Sequence, residues 1–173
     1  MGQPDPALLL QAASCLPECD FLLTSAFEDR KNAARVRFVI KCGDDPLMVL
    51  VAMPKGHAVE PLIQGSKAFA LNLLRPEDRL LTRKFPVDPD NQPLAPDEDD
   101  PLECVPLTRL QTGAPVLPRS PLVLDCEVAR HFDLELDYGV YVGHVVGASL
   151  DPSSRVLRSP AVKQVGLQSA GVG

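Results

Sequence analysis

Polar and hydrophobic positions alternate most cleanly over residues 34–42. Val36, Phe38, Ile40 and Cys42 fall on one face, and Arg35, Arg37, Val39 and Lys41 on the other. That period of two predicts a half-buried β-strand. An apolar, β-prone run precedes it at residues 21–27, and the polar stretch 28–32 between them predicts a turn. Gly43-Asp44-Asp45-Pro46 is a second turn signal. Residues 47–53 are continuously apolar, the pattern of a strand buried on both faces. Further strands are expected at residues 67–74, 122–128 and 138–146, with His131 and Asp133 in the turn between the last two. Short helices are expected at residues 5–16, 61–66 and 76–84. In the third, Pro76, Glu77 and Asp78 open the helix and Arg83 and Lys84 close it, a charge order that complements the helix dipole. Helices interrupt strands irregularly, without a βαβ rhythm. The expected class is α+β, mainly β, built on an antiparallel sheet or barrel with a few short helices.

Residues 85–106 break the pattern. They are rich in proline and acid, including Asp97-Glu98-Asp99-Asp100, so neither a long helix nor a central strand is expected. The acidic segment 87–103 is a solvated loop or a lid over a site. Two domain units are expected: residues 1–150, and a tail or arm at 151–173. A chain of 173 residues with net charge −6 lacks the basic footprint that nucleic acid or an anionic membrane surface requires. No apolar run approaches the ~20 residues of a membrane span. A cytoplasmic location is expected. The five cysteines include no Cys-x-x-Cys pair and only three histidines accompany them. No metal site is therefore expected, and the thiols are expected to be buried apolar side chains. Phosphate-loop, dinucleotide-fingerprint, zinc-protease and serine-elbow motifs are absent from the sequence.

The order of three stretches carries a resemblance: FLLTSAFEDRKN, then VRFVIKCGDDPLMVLVAMPKG, then LIQGSKAFALNLL. It resumes at Gly113-Ala114-Pro115, at the strand around Cys126 and at Tyr141-Val142-Gly143-His144-Val145-Val146. This succession resembles the flavin-reductase-like, FMN-binding split-barrel family over about residues 15–150. The resemblance implies an antiparallel split β-barrel, a homodimer, FMN near the subunit interface, and a small-molecule electron donor or acceptor, with NAD(P)H as the donor.

The same resemblance locates candidate flavin contacts. Where the family carries hydroxyl-bearing residues along its second strand, this chain has Arg35, Val36, Arg37 and Phe38. Where the family grips phosphate after its apolar strand, this chain has Lys55, Gly56, His57 and Val59. Charge can replace the missing hydroxyls, because guanidinium groups bind phosphate through forked bonds. Arg35, Arg37, Lys55 and His57 are the expected phosphate contacts, with Asn72 kept because it matches the family pattern. The bland alternative for Arg35 and Arg37 is a solvated strand face that discourages edge pairing. Gly139, Gly143 and Gly147 either admit a flavin or another backbone, or mark a bend in a closed barrel. No side chain is assigned as catalytic. Three functions stay open: an FMN-binding oxidoreductase passing hydride between a nicotinamide and flavin, a split-barrel binding module that has lost that activity or holds another anionic ligand, and a split barrel for haem or another flavin-like cofactor, for which the sequence offers no specific ligand.

Overall fold

The computed structural model describes residues 7, 12–13, 16, 18–87, 100–135 and 137–152. Seven strands form one antiparallel sheet: β1 (Phe21–Phe27), β2 (Arg30–Val36), β3 (Phe38–Asp44), β4 (Leu47–Pro54), β5 (Ala68–Leu73), β8 (Leu122–Asp133) and β9 (Tyr138–Leu150). Their order across the sheet is β2-β1-β5-β8-β9-β4-β3. Two-residue strands β6 (Thr108–Arg109) and β7 (Pro115–Val116) pair separately, and the helices are α1 (Glu60–Ser66) and α2 (Arg79–Lys84).

The connection between β2 and β3 determines the overall shape. These strands are the two edges of the sheet, yet Arg37 alone separates them in the chain. A seven-stranded sheet can satisfy that link only by curling until its edges meet. The edges do not pair, so the barrel stays split at this seam. Residues 34–42 are thus not one strand, as alternation predicts, but two meeting at a corner, where the Val39 N–H turns back onto the Arg37 carbonyl at 3.2 Å. The corner shifts the phase. Val36 is buried at 2% exposure, while Phe38 and Ile40 lie outward at 46% and 61%.

Other boundaries moved for similar reasons. The first hairpin turns on Glu28-Asp29, with Glu28 at φ 55°, and residues 30–32 belong to β2. β8 and β9 extend beyond the expected limits, placing His131 and Asp133 within β8 rather than in the turn. Their mutual pairing, through two register shifts, supplies the extra ladder hydrogen bonds. Helix α2 begins at Arg79, so Glu77 and Asp78 precede it. The expected helix at 5–16 lies mostly outside the described residues, although Ala7, Ala12 and Ala13 are helical. Most of the acidic segment and the tail also lie outside them.

Three apolar clusters hold the sheet, the smallest of them Ala70, Ala114, Val116 and Val123. The largest, inside the barrel, contains Phe21, Leu23, Val36, Val51, Met53, Ile63, Phe69 and Tyr141. Gly143 is required here, since a Cβ would sit 2.6 Å from the Phe69 ring; the close approach is to a packed side chain. A second, smaller cluster lies on the opposite face: Leu22, Ala33, Leu74, Phe85, Leu102 and Leu117, with Leu81 and Val105 packed against it. Cys126 is buried, and burial pushes its thiol up to about 12. Cys19, Cys42 and Cys104 are exposed, contrary to the expectation of buried thiols; Cys15 lies outside the described residues. Among the described residues no helix is long and apolar enough to cross a membrane, and no group of three or more His, Cys, Asp or Glu could hold a metal ion.

Candidate functional site

Pro54 ends β4, and the chain then runs through a short loop into α1. Gly56 adopts φ 76°, open to glycine at no steric cost. Its N–H donates to a carboxylate oxygen of Glu60 at 2.8 Å. The Lys55 N–H donates to the Asp137 carbonyl at 2.9 Å, tying the loop to the β8–β9 turn. The Lys55 ammonium bonds the Asp133 carboxylate and the Leu134 carbonyl. His57 accepts the Val59 N–H at Nδ1, 3.1 Å, so its proton sits on Nε2. Burial lowers this imidazole from 6.5 to about 4. At neutral pH His57 is therefore an uncharged donor, not the cation its sequence position suggests.

The two strand arginines converge elsewhere. Asp20, just before β1, receives the Arg35 guanidinium through two hydrogen bonds, 2.6 and 3.1 Å, and Arg37 Nε at 2.9 Å. Arg35 also donates to the Thr82 carbonyl at 3.3 Å, and Arg37 reaches Glu18 at 3.6 Å. Burial by itself would raise the Asp20 carboxyl, but hydrogen bonds and charge from both arginines outweigh it and hold the group below its usual value. The arginines are already neutralised, and they brace the corner where β2 passes into β3.

Asn72 has no exposed surface. Its Nδ2 donates to the Leu22 carbonyl at 3.0 Å and to Thr24 Oγ1 at 3.2 Å, and its Oδ1 accepts the Leu117 N–H at 2.8 Å. It joins β1, β5 and the segment after β7, and in this conformation it offers nothing to a ligand. The expectation of a flavin contact at Asn72 gives way to a structural role, because three buried groups depend on it.

Of the five expected contacts, the structure brings Arg35 and Arg37 together on Asp20, and Lys55 and His57 together on the loop. Asp20, Glu60 and Tyr141 were missed. Tyr141 is 1% exposed, stacks on His131 with ring centroids 4.3 Å apart, and finds no hydrogen-bond partner for its hydroxyl among the described residues. Burial, then the charge of Glu60, pushes the phenol up to about 12. Asp20 lies 15 residues from Arg35, and no local spacing signals such a pairing.

The loop carries groups of the kind that hold phosphate oxygens, although Asp133 is paired with Lys55 and the Glu60 carboxylate occupies the Gly56 amide. Its Gly56 amide already grips a carboxylate oxygen, Lys55 supplies a positive charge, and His57 supplies an N–H donor. Backbone amides and a cation are the ordinary means of holding phosphate oxygens. Arg35 and Arg37 would contribute only by releasing Asp20.

Comparison with known proteins bears on the family and the fold. A family model described as "Flavin reductase like domain" matches residues 14–160. Diflavin flavoprotein A 2 of Synechocystis sp. is 29% identical over 130 residues, covering 75% of this chain and 21% of that protein. The chain thus spans about a fifth of that curated relative's length. Among solved structures, flavin reductase PheA2 superposes with a TM-score of 0.68 at 20% identity, covering 86% of this chain and 90% of that one. The NADH:FAD oxidoreductase SgcE6 of Streptomyces globisporus gives 0.69 at 16% identity, covering 88% and 87%. The FMN-binding protein of Thermus thermophilus gives 0.69 at 16%, covering 87% and 79%.

Proposed function

The chain belongs to the flavin reductase like domain family, and on that premise we propose that it binds FMN at the Lys55–Glu60 loop and serves as a flavin-dependent oxidoreductase accepting hydride from NAD(P)H. The observation that supports this most is the Gly56 amide holding the Glu60 carboxylate, an internal occupant of a seat suited to a phosphate oxygen. Bound flavin would supply the hydride chemistry, as cofactors generally do. The chain's own part is binding: Lys55 offers charge, His57 donates from Nε2, and Gly56 donates from its backbone. Arg35 and Arg37 are held by Asp20 and take no part in this binding unless a ligand releases them. A cytoplasmic setting suits the three exposed free thiols, which a reducing compartment preserves.

A second copy of the chain is the partner we propose, and an outward apolar face supports it. Phe38, Ala52, Val140 and Phe132 oppose one another in a row across β3, β4, β9 and β8. Ile40, Leu50 and Val142 form the next row. Phe132 is 52% exposed, and Phe38 packs edge-on against Tyr138 at 6.0 Å. Such a contiguous apolar face is what an isologous interface buries. Ile40→Asp is expected to shift the dimer to monomer in sedimentation velocity; a protein monomeric before substitution contradicts the proposal.

FMN fluorescence quenching tests the flavin reading. Micromolar binding, about −8 kcal/mol, is expected. Lys55→Ala should weaken it by about 1.5–3 kcal/mol, the range for hydrogen bonds to charged groups. Glu60→Gln, which empties the Gly56 seat of its carboxylate charge, should strengthen it. Arg35→Ala and Arg37→Ala weaken binding only if the ligand draws them from Asp20. No quenching by the dimer would leave the second function, a module for another anion. NADH consumption with FMN present separates binding from turnover.

A further inference from the structure

On the face opposite the barrel interior, α2 and residues 104–106 and 117–120 enclose a cleft of about 620 Å³. That volume is ordinary for a small-molecule site. Its floor is the outer surface of the apolar cluster that includes Leu22 and Phe85, where Leu81, Val105 and Leu117 line it. Its rim carries Arg79, Lys84 and Arg119.

Several cations elsewhere among the described residues are held by acids. Lys31, Arg35, Arg37, Lys41, Lys55 and Arg75 each reach a carboxylate. Arg79, Lys84 and Arg119 have no ion pair or side-chain hydrogen bond among the described residues, in a chain whose net charge is −6. Two acids share the lining, Glu77 and Asp78, and Asp78 accepts the Arg75 N–H at 2.8 Å. Positive charge therefore exceeds negative by one around an apolar floor. The cleft includes none of Arg35, Arg37, Lys55, His57 or Asn72.

We propose that this cleft is a second binding site, for a small amphipathic anion: an aromatic or aliphatic acid whose apolar body covers Leu81, Val105 and Leu117 while its acidic group meets Arg79, Lys84 and Arg119. Burying the apolar body is favourable wherever the body is uncharged. The excess charge selects the acid over its neutral analogue. Leaving them without carboxylates keeps them available, whereas every cation at the Asp20 corner is already engaged.

Two dyes of the same aromatic body test this directly: 8-anilino-1-naphthalenesulfonate, which is anionic, and N-phenyl-1-naphthylamine, which is not. The full chain should bind the sulfonate saturably, one per chain. Arg79→Ala/Arg119→Ala should weaken the sulfonate by about tenfold and leave the neutral amine within about twofold. Both positions are exposed, so the double variant should melt with the parent. Excess FMN should leave the dye in place. Non-saturable binding overturns the proposal, as does equal loss of both dyes. An unchanged sulfonate affinity in the double variant also overturns it, since the dye would then lie on the outer sheet face. Competitive displacement by FMN overturns it by assigning the dye to the flavin loop. Failure of FMN itself to bind would sink the flavin reading and leave the dye result standing.

Discussion

The corner at Asp20 and the cleft beside α2 use the same residue types for opposite ends. At the corner, two arginines share one carboxylate within hydrogen-bond distance, with Glu18 nearby. At the cleft, two arginines and a lysine stand without a partner among the described residues. The corner must hold a fold in place: one residue carries the chain from one sheet edge to the other, and a partly buried guanidinium needs a counter-charge. The cleft rim faces water, where an unpaired cation costs little. Charge near a presumed binding stretch is thus no guide to binding unless its partners are known.

Removing Asp20 breaks this contrast most severely. Asp20→Ala strands Arg35, whose side chain is 13% exposed, and should cost about 2–3 kcal/mol in urea unfolding, below the range for fully buried pairs. Arg35→Ala should cost about 1.5–2 kcal/mol, since hydrogen bonds to charged groups are lost. Arg37→Ala should cost less than about 1 kcal/mol, because at 38% exposure its pair is largely solvated. If the two arginine variants prove equal, the corner is not organised around Arg35.

Acid sharpens the comparison. The depressed Asp20 carboxyl contributes stability that is present above its ordinary value, 3.8, and is lost as pH falls through the lower folded value. His57 acts earlier. Below pH 6.5 the unfolded chain takes up a proton that the folded imidazole refuses until about 4, so stability should fall with pH across that interval. His57→Gln should flatten the slope there, and a slope unchanged by the substitution would show that His57 is protonated in the folded chain. The smallest effect belongs to the cleft. Arg79→Ala/Arg119→Ala should stay within about 0.5 kcal/mol of the parent; a loss comparable to Arg35→Ala would mean that these cations have structural partners.

Much of the architecture was legible in local pattern. The apolar runs at 21–27 and 47–53 and Pro61 at the start of α1 correspond to observed elements, and the turn expected at 43–46 narrows to Asp45-Pro46. The ordered stretches that resemble flavin reductases are borne out by the family match. Alternation over 34–42 failed at Arg37, because a period of two cannot distinguish one long strand from two strands meeting at a corner. Lys55 and His57 were visible as a pair, but not the neutrality of His57, which comes from burial.

The presence of most strands and the family were thus legible in neighbouring residues, through propensity and hydrophobic period, while strand ends and turn positions followed tertiary pairing. What became of each polar group was decided by tertiary contact. Asn72 faces Leu22, Thr24 and Leu117 instead of a ligand, and Asp20 claims two arginines. The physical reason is that a charge or an amide is committed by whatever lies within about 3 Å of it, and residues 15 to 50 positions away enter that radius only when the sheet curls.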